Sequence, residues 1–84
     1  MITFGQYLKS AREAAGLSQK DVGNILGCHV QYISNIERSC AFPPISYLKK
    51  MSKLYKTNES ELKGRFLTAM ADRYRTNLIK KMQR

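Results

Sequence analysis

An all-α domain is predicted from three features of the sequence. Helix-start signals recur along the chain, apolar residues fall at helical spacing between them, and no segment alternates as a strand would. The 84 residues make one domain. At that length folding removes roughly 60–65% of the surface that the unfolded chain exposes. So small a core leaves little room for a deep substrate pocket, which puts function on an exposed face.

Thr3-Phe4-Gly5-Gln6 has the pattern of a capping box, with Ile2 and Tyr7 placed to staple across it. It predicts a first helix from about Phe4 to Ala15 that buries Phe4, Leu8, Ala11 and Ala15. Gly16 suits the left-handed position after a helix end, and Ser18 then caps a second, short helix to about Leu26, stapled by Leu17 against Val22. Gly27 turns the chain into a third helix, Val30 to Arg38, marked by Val30, Ile33 and Ile36. Ser39-Cys40-Ala41-Phe42 has no periodicity.

Pro43-Pro44 opens a fourth helix over Ile45 to Tyr55, since proline in the first helical position gives up no needed hydrogen bond. Leu48, Met51, Leu54 and Tyr55 share one face of it, and Lys49, Lys50, Lys53 and Lys56 lie elsewhere. Asn58 with Glu61 caps a fifth stretch beginning at Leu62. From there Phe66, Met70, Tyr74, Leu78 and Met82 recur every four positions, with Leu67 and Ala71 beside them, as one apolar stripe on an additional C-terminal helix. The expected organisation is a domain over 1–63 and a basic amphipathic helix over 64–84.

The 15 Lys and Arg against 6 Asp and Glu give a formal charge of +9. A field of that sign concentrates polyanions, so nucleic acid leads the candidate partners, against the alternative that the charge only confers solubility. Over residues 63–84, Lys63, Arg65, Arg73, Arg75, Lys80, Lys81 and Arg84 against Asp72 hold six of those nine charges. The tail can touch DNA or simply be a solvated face.

Two cysteines, Cys28 and Cys40, and a chain that begins on a capped helix with no signal peptide are expected of a cytoplasmic protein. These cysteines with the lone His29 are too few for zinc, no metal or other cofactor is expected, and no run of 18 apolar residues marks a membrane span. No nucleophile-base set, carboxylate pair or phosphate loop assembles, so the expectation is not an enzyme. Cys28, Met51, Met70 and Met82 are expected to pack.

The segment Ser18 to Arg38, Ser-Gln-Lys-Asp-Val-Gly-Asn-Ile-Leu-Gly-Cys-His-Val-Gln-Tyr-Ile-Ser-Asn-Ile-Glu-Arg, closely resembles the helix-turn-helix of the XRE family, which includes lambda-type repressors and Cro. The likeness runs from about Phe4 to Leu62. It includes the Leu-Ser-Gln start, the Leu-Gly turn, the Tyr-Ile-Ser-x-Ile-Glu-Arg helix and the proline before helix four. Gly23, which lets helix three approach, and Gly27, at the turn, suit the same arrangement.

The resemblance implies a five-helix lambda-repressor-like DNA-binding domain whose third helix enters the major groove. It places base contacts at His29, Val30, Gln31 and Asn35. The carboxamides of Gln31 and Asn35 suit adenine, and Val30 offers a surface to the thymine methyl. His29 stands where the family more often has a small polar cap, and base contact, phosphate contact and capping are all open to it. Gln19 matches a phosphate-binding glutamine that also steadies the recognition helix. Lys20, Asn24, Tyr32, Arg38 and Ser39 are further backbone candidates, Tyr32 being equally open to partial burial. Arg12 and Glu37 match a structural ion pair. Ser39 replaces the glycine usual after the recognition helix, and Cys40-Ala41-Phe42 replaces a loop that is often basic, so fewer phosphate contacts are expected there.

The function implied is a repressor or autoregulator that occludes a promoter as a homodimer on a pseudo-palindromic operator. Phe66, Met70, Tyr74 and Leu78 are the candidate dimer surface, the alternative being that this stripe packs on its own domain. The rival functions are an antitoxin-type module that engages a protein partner through the C-terminal helix and binds its own operator, and a sequence-independent polyanion binder.

Overall fold

The structure, a computed structural model, describes residues 2–82. Of the tail cations, Arg84 and the side chain of Lys80 lie outside that description. The described residues form five helices: α1 Phe4–Ala14, α2 Gln19–Leu26, α3 Val30–Glu37, α4 Ile45–Leu54 and α5 Glu59–Met82. Local chemistry accounts for their starts. Thr3 with Gln6 and Ser18 with Asp21 close reciprocal capping boxes, and the Asn58 side chain accepts from the Glu61 amide. α4 opens at Ile45 as expected, with Pro44 as its N-cap and not its first helical residue, and it ends one residue early, at Leu54, with Tyr55 as the C-cap.

The fifth stretch and the additional C-terminal helix are one continuous rod of 24 residues. Neither a proline nor a new cap separates Leu62 from Phe66, and the one weak point, Gly64, costs a helix interior only about 1 kcal/mol relative to alanine.

Packing joins α2 to α3, α4 to α5, and α1 to both α3 and α5. The core comprises Phe4, Leu8, Val22, Leu26, Ile33, Ile36, Leu48, Met51, Tyr55, Leu62 and Phe66. In α1 the buried stripe is Phe4, Gly5, Leu8 and Arg12, while Ala11 and Ala15 are only half-buried. Cys28 is half-buried against the core.

Phe66 is not a surface residue. It is 5% exposed, with its ring edge-on to Phe4 at 5.7 Å and to Phe42 at 5.8 Å. The expectation that it belongs to a dimer face is therefore corrected, since three aromatic rings from α1, the loop after α3 and α5 already enclose one another. The remainder of the stripe is uncovered, with Met70 at 42%, Tyr74 at 70% and Leu78 at 44% exposed. Met70 and Met82 accordingly do not pack within the chain.

Gly5 permits the α1–α3 contact. A Cβ built there would lie 2.5 Å from the Glu37 carbonyl oxygen and 2.7 Å from that of Ile36, both backbone atoms. Gly5→Ala is expected to destabilise the fold by at least about 1 kcal/mol in urea unfolding, net of alanine's better helix propensity. Ser39, at φ 63°, holds a left-handed conformation that a side chain disfavours. Ser39→Gly should raise stability by about 1 kcal/mol in the same assay.

Candidate nucleic-acid interface

The third helix is presented by a tight turn. Gly27, at φ 74°, ends α2 and leads through Cys28 to His29, the N-cap of α3. A Cβ at Gly23 would meet the Cys28 carbonyl at 2.9 Å and the Val30 nitrogen at 3.4 Å, so a bare backbone at this position seats α3 against α2. At the start of α2 the Ser18 backbone N–H donates to the Asp21 carboxylate at 3.0 Å while the Ser18 hydroxyl accepts from the Asp21 amide, and hydrogen bonding with Ser18 holds the Asp21 carboxyl below the ordinary range.

The two sides of α3 differ in chemistry. Ile33, Ile36 and Glu37 are buried, whereas His29, Gln31 and Arg38 are exposed, Val30 is 47% exposed and Asn35 is half-buried. Asn35 Oδ1 accepts from Gln31 Nε2 at 3.0 Å and from Arg38 Nη2 at 2.6 Å. Gln31, Asn35 and Arg38 thus form one hydrogen-bonded row along the helix. His29 makes no side-chain capping bond, so of its three open roles capping is not in use.

Behind this row, Arg12 Nε donates to Glu37 Oε2 at 2.7 Å and Nη2 to Oε1 at 3.1 Å, while Nη1 donates to the Leu17 carbonyl at 2.6 Å. The hydrogen bond to Glu37 raises the Arg12 pKa. Gln19 Nε2 donates to Glu37 Oε1 at 3.0 Å, which ties the start of α2 to the end of α3. Lys20 and Asn24 are exposed on α2, and Ser39 is exposed beyond α3. Tyr32 is half-buried, its hydroxyl donating to the Phe42 carbonyl at 3.0 Å, and burial raises its pKa.

A polar cleft of about 600 Å³ joins these parts, lined by Thr3, Gln6, Lys9, Gln19, Ser34, Glu37, Arg38 and Ser39. It adds Lys9, which the sequence reading did not single out. The available signal was Thr3, Gln6 and Lys9 at every third position, which places them on one side of the first turns of α1.

In the tail, Arg65 lies over the Tyr7 ring at 4.4 Å and Arg73 over the Phe42 ring at 5.3 Å. Lys63 pairs with Glu59 at 2.7 Å and Arg65 with Glu61 at 3.4 Å. Among the described residues no His, Cys, Asp or Glu group could hold a metal ion, and no helix is long and apolar enough to cross a membrane.

The pattern that defines the Helix-turn-helix domain matches residues 3–63. The HTH-type transcriptional regulator ImmR of Bacillus subtilis (strain 168) is 34% identical to this chain over 64 residues, which cover 76% of the chain and 50% of ImmR. The chain thus spans about half the length of that curated relative.

Glu37→Gln leaves the Arg12 guanidinium buried without its counter-charge. It is expected to cost about 3–5 kcal/mol of unfolding free energy by chemical denaturation. The paired change Arg12→Met with Glu37→Leu should recover most of that loss.

Proposed function

The chain belongs to the XRE type of the helix-turn-helix family, and we propose that it binds duplex DNA sequence-specifically through α3 and regulates transcription. The observation that carries this reading is the exposed polar row on α3, backed by buried Ile33, Ile36 and Glu37. A helix anchored along one side and polar along the other suits the major groove, where its amino-terminal residues meet base edges. Gln31 and Asn35 are the principal readers. Val30 faces the methyl of thymine, and His29 contacts a base or a phosphate.

Gln19, Lys20, Asn24 and Ser39 hold the backbone, with Arg38 assigned to it by family likeness. The polar cleft brings Lys9 to the same task. The +9 charge speeds and strengthens encounter with the duplex, and a cytoplasmic location is part of the same proposal.

The same reading makes the chain a repressor or autoregulator that blocks a promoter, in keeping with the regulator named among its relatives. One recognition helix reads few bases, and two copies about 34 Å apart on a pseudo-palindromic operator double the contacts. The exposed Met70, Tyr74 and Leu78 supply an apolar surface for that pairing. A protein partner seated there, as in an antitoxin, is the competing occupant.

Gln31→Ala should weaken operator binding by about 1–3 kcal/mol in fluorescence anisotropy and leave binding to random duplex nearly unchanged. Equal loss on both would contradict the assignment. Met70→Glu with Tyr74→Glu should convert a dimer to monomers in sedimentation at unchanged helicity. A wild-type chain that is monomeric at all concentrations would remove the homodimer and leave the stripe to another protein.

A further inference from the structure

We infer that Arg38 is a positioning residue for Asn35 and that it makes Asn35 a reader of guanine in place of adenine. The inference rests on α3 reading DNA as set out above, and it changes the role of Arg38 from phosphate contact to control of base choice. Its observation is the double acceptance at one atom, Asn35 Oδ1, from Gln31 Nε2 at 3.0 Å and from Arg38 Nη2 at 2.6 Å.

An amide oxygen has two lone pairs, and here both are taken. The bond from Arg38 is charge-assisted and so the stronger of the two. Turning the carboxamide over would break both bonds at once and set the Nδ2 amino group against a cation. The orientation is therefore fixed, and the end of Asn35 left for a base is its amino group, which only donates.

The major-groove edges of the bases respond differently to such a group. Guanine offers two acceptors side by side, N7 and O6, whereas adenine sets an N6 donor next to its N7. A donor-only Asn35 meets both acceptors of guanine but repels half of the adenine edge. Gln31 differs, because its Oε1 accepts no bond from Asn35 or Arg38 and Nε2 keeps a second hydrogen. Gln31 thus retains the paired donor and acceptor that adenine requires. Arg38 itself is exposed and follows the last turn of α3, so its removal leaves the buried side of the helix untouched.

The test is selection of bound duplexes from a random pool by the wild-type chain, Asn35→Ala, Arg38→Met and Arg38→Lys, with the salt dependence of binding measured for each. Loss of preference in Asn35→Ala marks the base pair concerned. The wild type should favour guanine over adenine there by about tenfold or more. Arg38→Met should reduce that ratio to about threefold or less without changing the salt slope, and Arg38→Lys, which keeps a charged donor, should hold the guanine preference.

An Arg38→Met chain that weakens equally on every sequence, with the slope reduced by about one, would make Arg38 a phosphate contact and overturn the inference. So would a wild-type preference for adenine at the marked pair. A wild-type chain that enriches no sequence would overturn the DNA reading itself, an outcome distinct from the other two.

Discussion

The guanidinium of Arg12 and the carboxylate of Glu37 meet in the interior of the domain, and the placement of α3 depends on that meeting. Each of the three guanidinium nitrogens donates, two to Glu37 and one to the Leu17 carbonyl, and Glu37 also accepts from Gln19. One pair of charges thereby joins α1, the turn before α2, the first residue of α2 and the last residue of α3. Buried ion pairs of this kind add little net stability over a well-packed apolar pair, because desolvation offsets their attraction. What they supply is geometry, since any arrangement that separates the two charges leaves both unpaired in a poor solvent for ions.

The rest of the site follows from that anchorage. Glycines at Gly5 and Gly23 bring the α1 and α2 backbones against the two ends of α3, at its carboxyl and amino sides respectively. Ile33 and Ile36 fill the space between, and the opposite side of the helix is left to polar groups. Those groups are ordered before any ligand arrives, because the Gln31–Asn35–Arg38 row fixes amides that would otherwise rotate freely. Recognition by groups already in position loses less conformational entropy on binding.

Much of this was legible in the sequence because it is local. The capping boxes at Thr3 and Ser18, the turn at Gly27 and the ends of α2 to within a residue depend on neighbours a few positions apart. The Arg12–Glu37 pair came from family likeness, since no local rule links two residues on different helices. Gly5 looked like a mere member of a capping box, and its close approach to Glu37 exists only once α1 and α3 have packed. The stripe on α5 showed the same limit. Periodicity identified Phe66, Met70, Tyr74 and Leu78 as one side of a helix, but only the fold showed that Phe4 and Phe42 cover the first of them. The contacts of Tyr32 with Phe42 and of Asn35 with Arg38 were invisible for a related reason, as side-chain hydrogen bonds depend on rotamers that a sequence does not state.

Up to Phe66 the domain and α5 share a core, beyond it Ala69 and Arg73 still reach the domain, and Met70, Tyr74 and Leu78 carry apolar surface into solvent. The molecule therefore offers two exposed chemistries, an amide-rich row on α3 and an apolar, cationic rod. The central claim is that the first meets the bases, held from behind by the Arg12–Glu37 pair. The direct measurement is nuclear magnetic resonance of the isotope-labelled chain titrated with its selected duplex, following the side-chain amides of Gln31 and Asn35 and the Arg12 Nε proton. Large shifts of the two amides with an unmoved Arg12 signal are expected. Unmoved amides, with shifts confined to the arginines of α5, would contradict it.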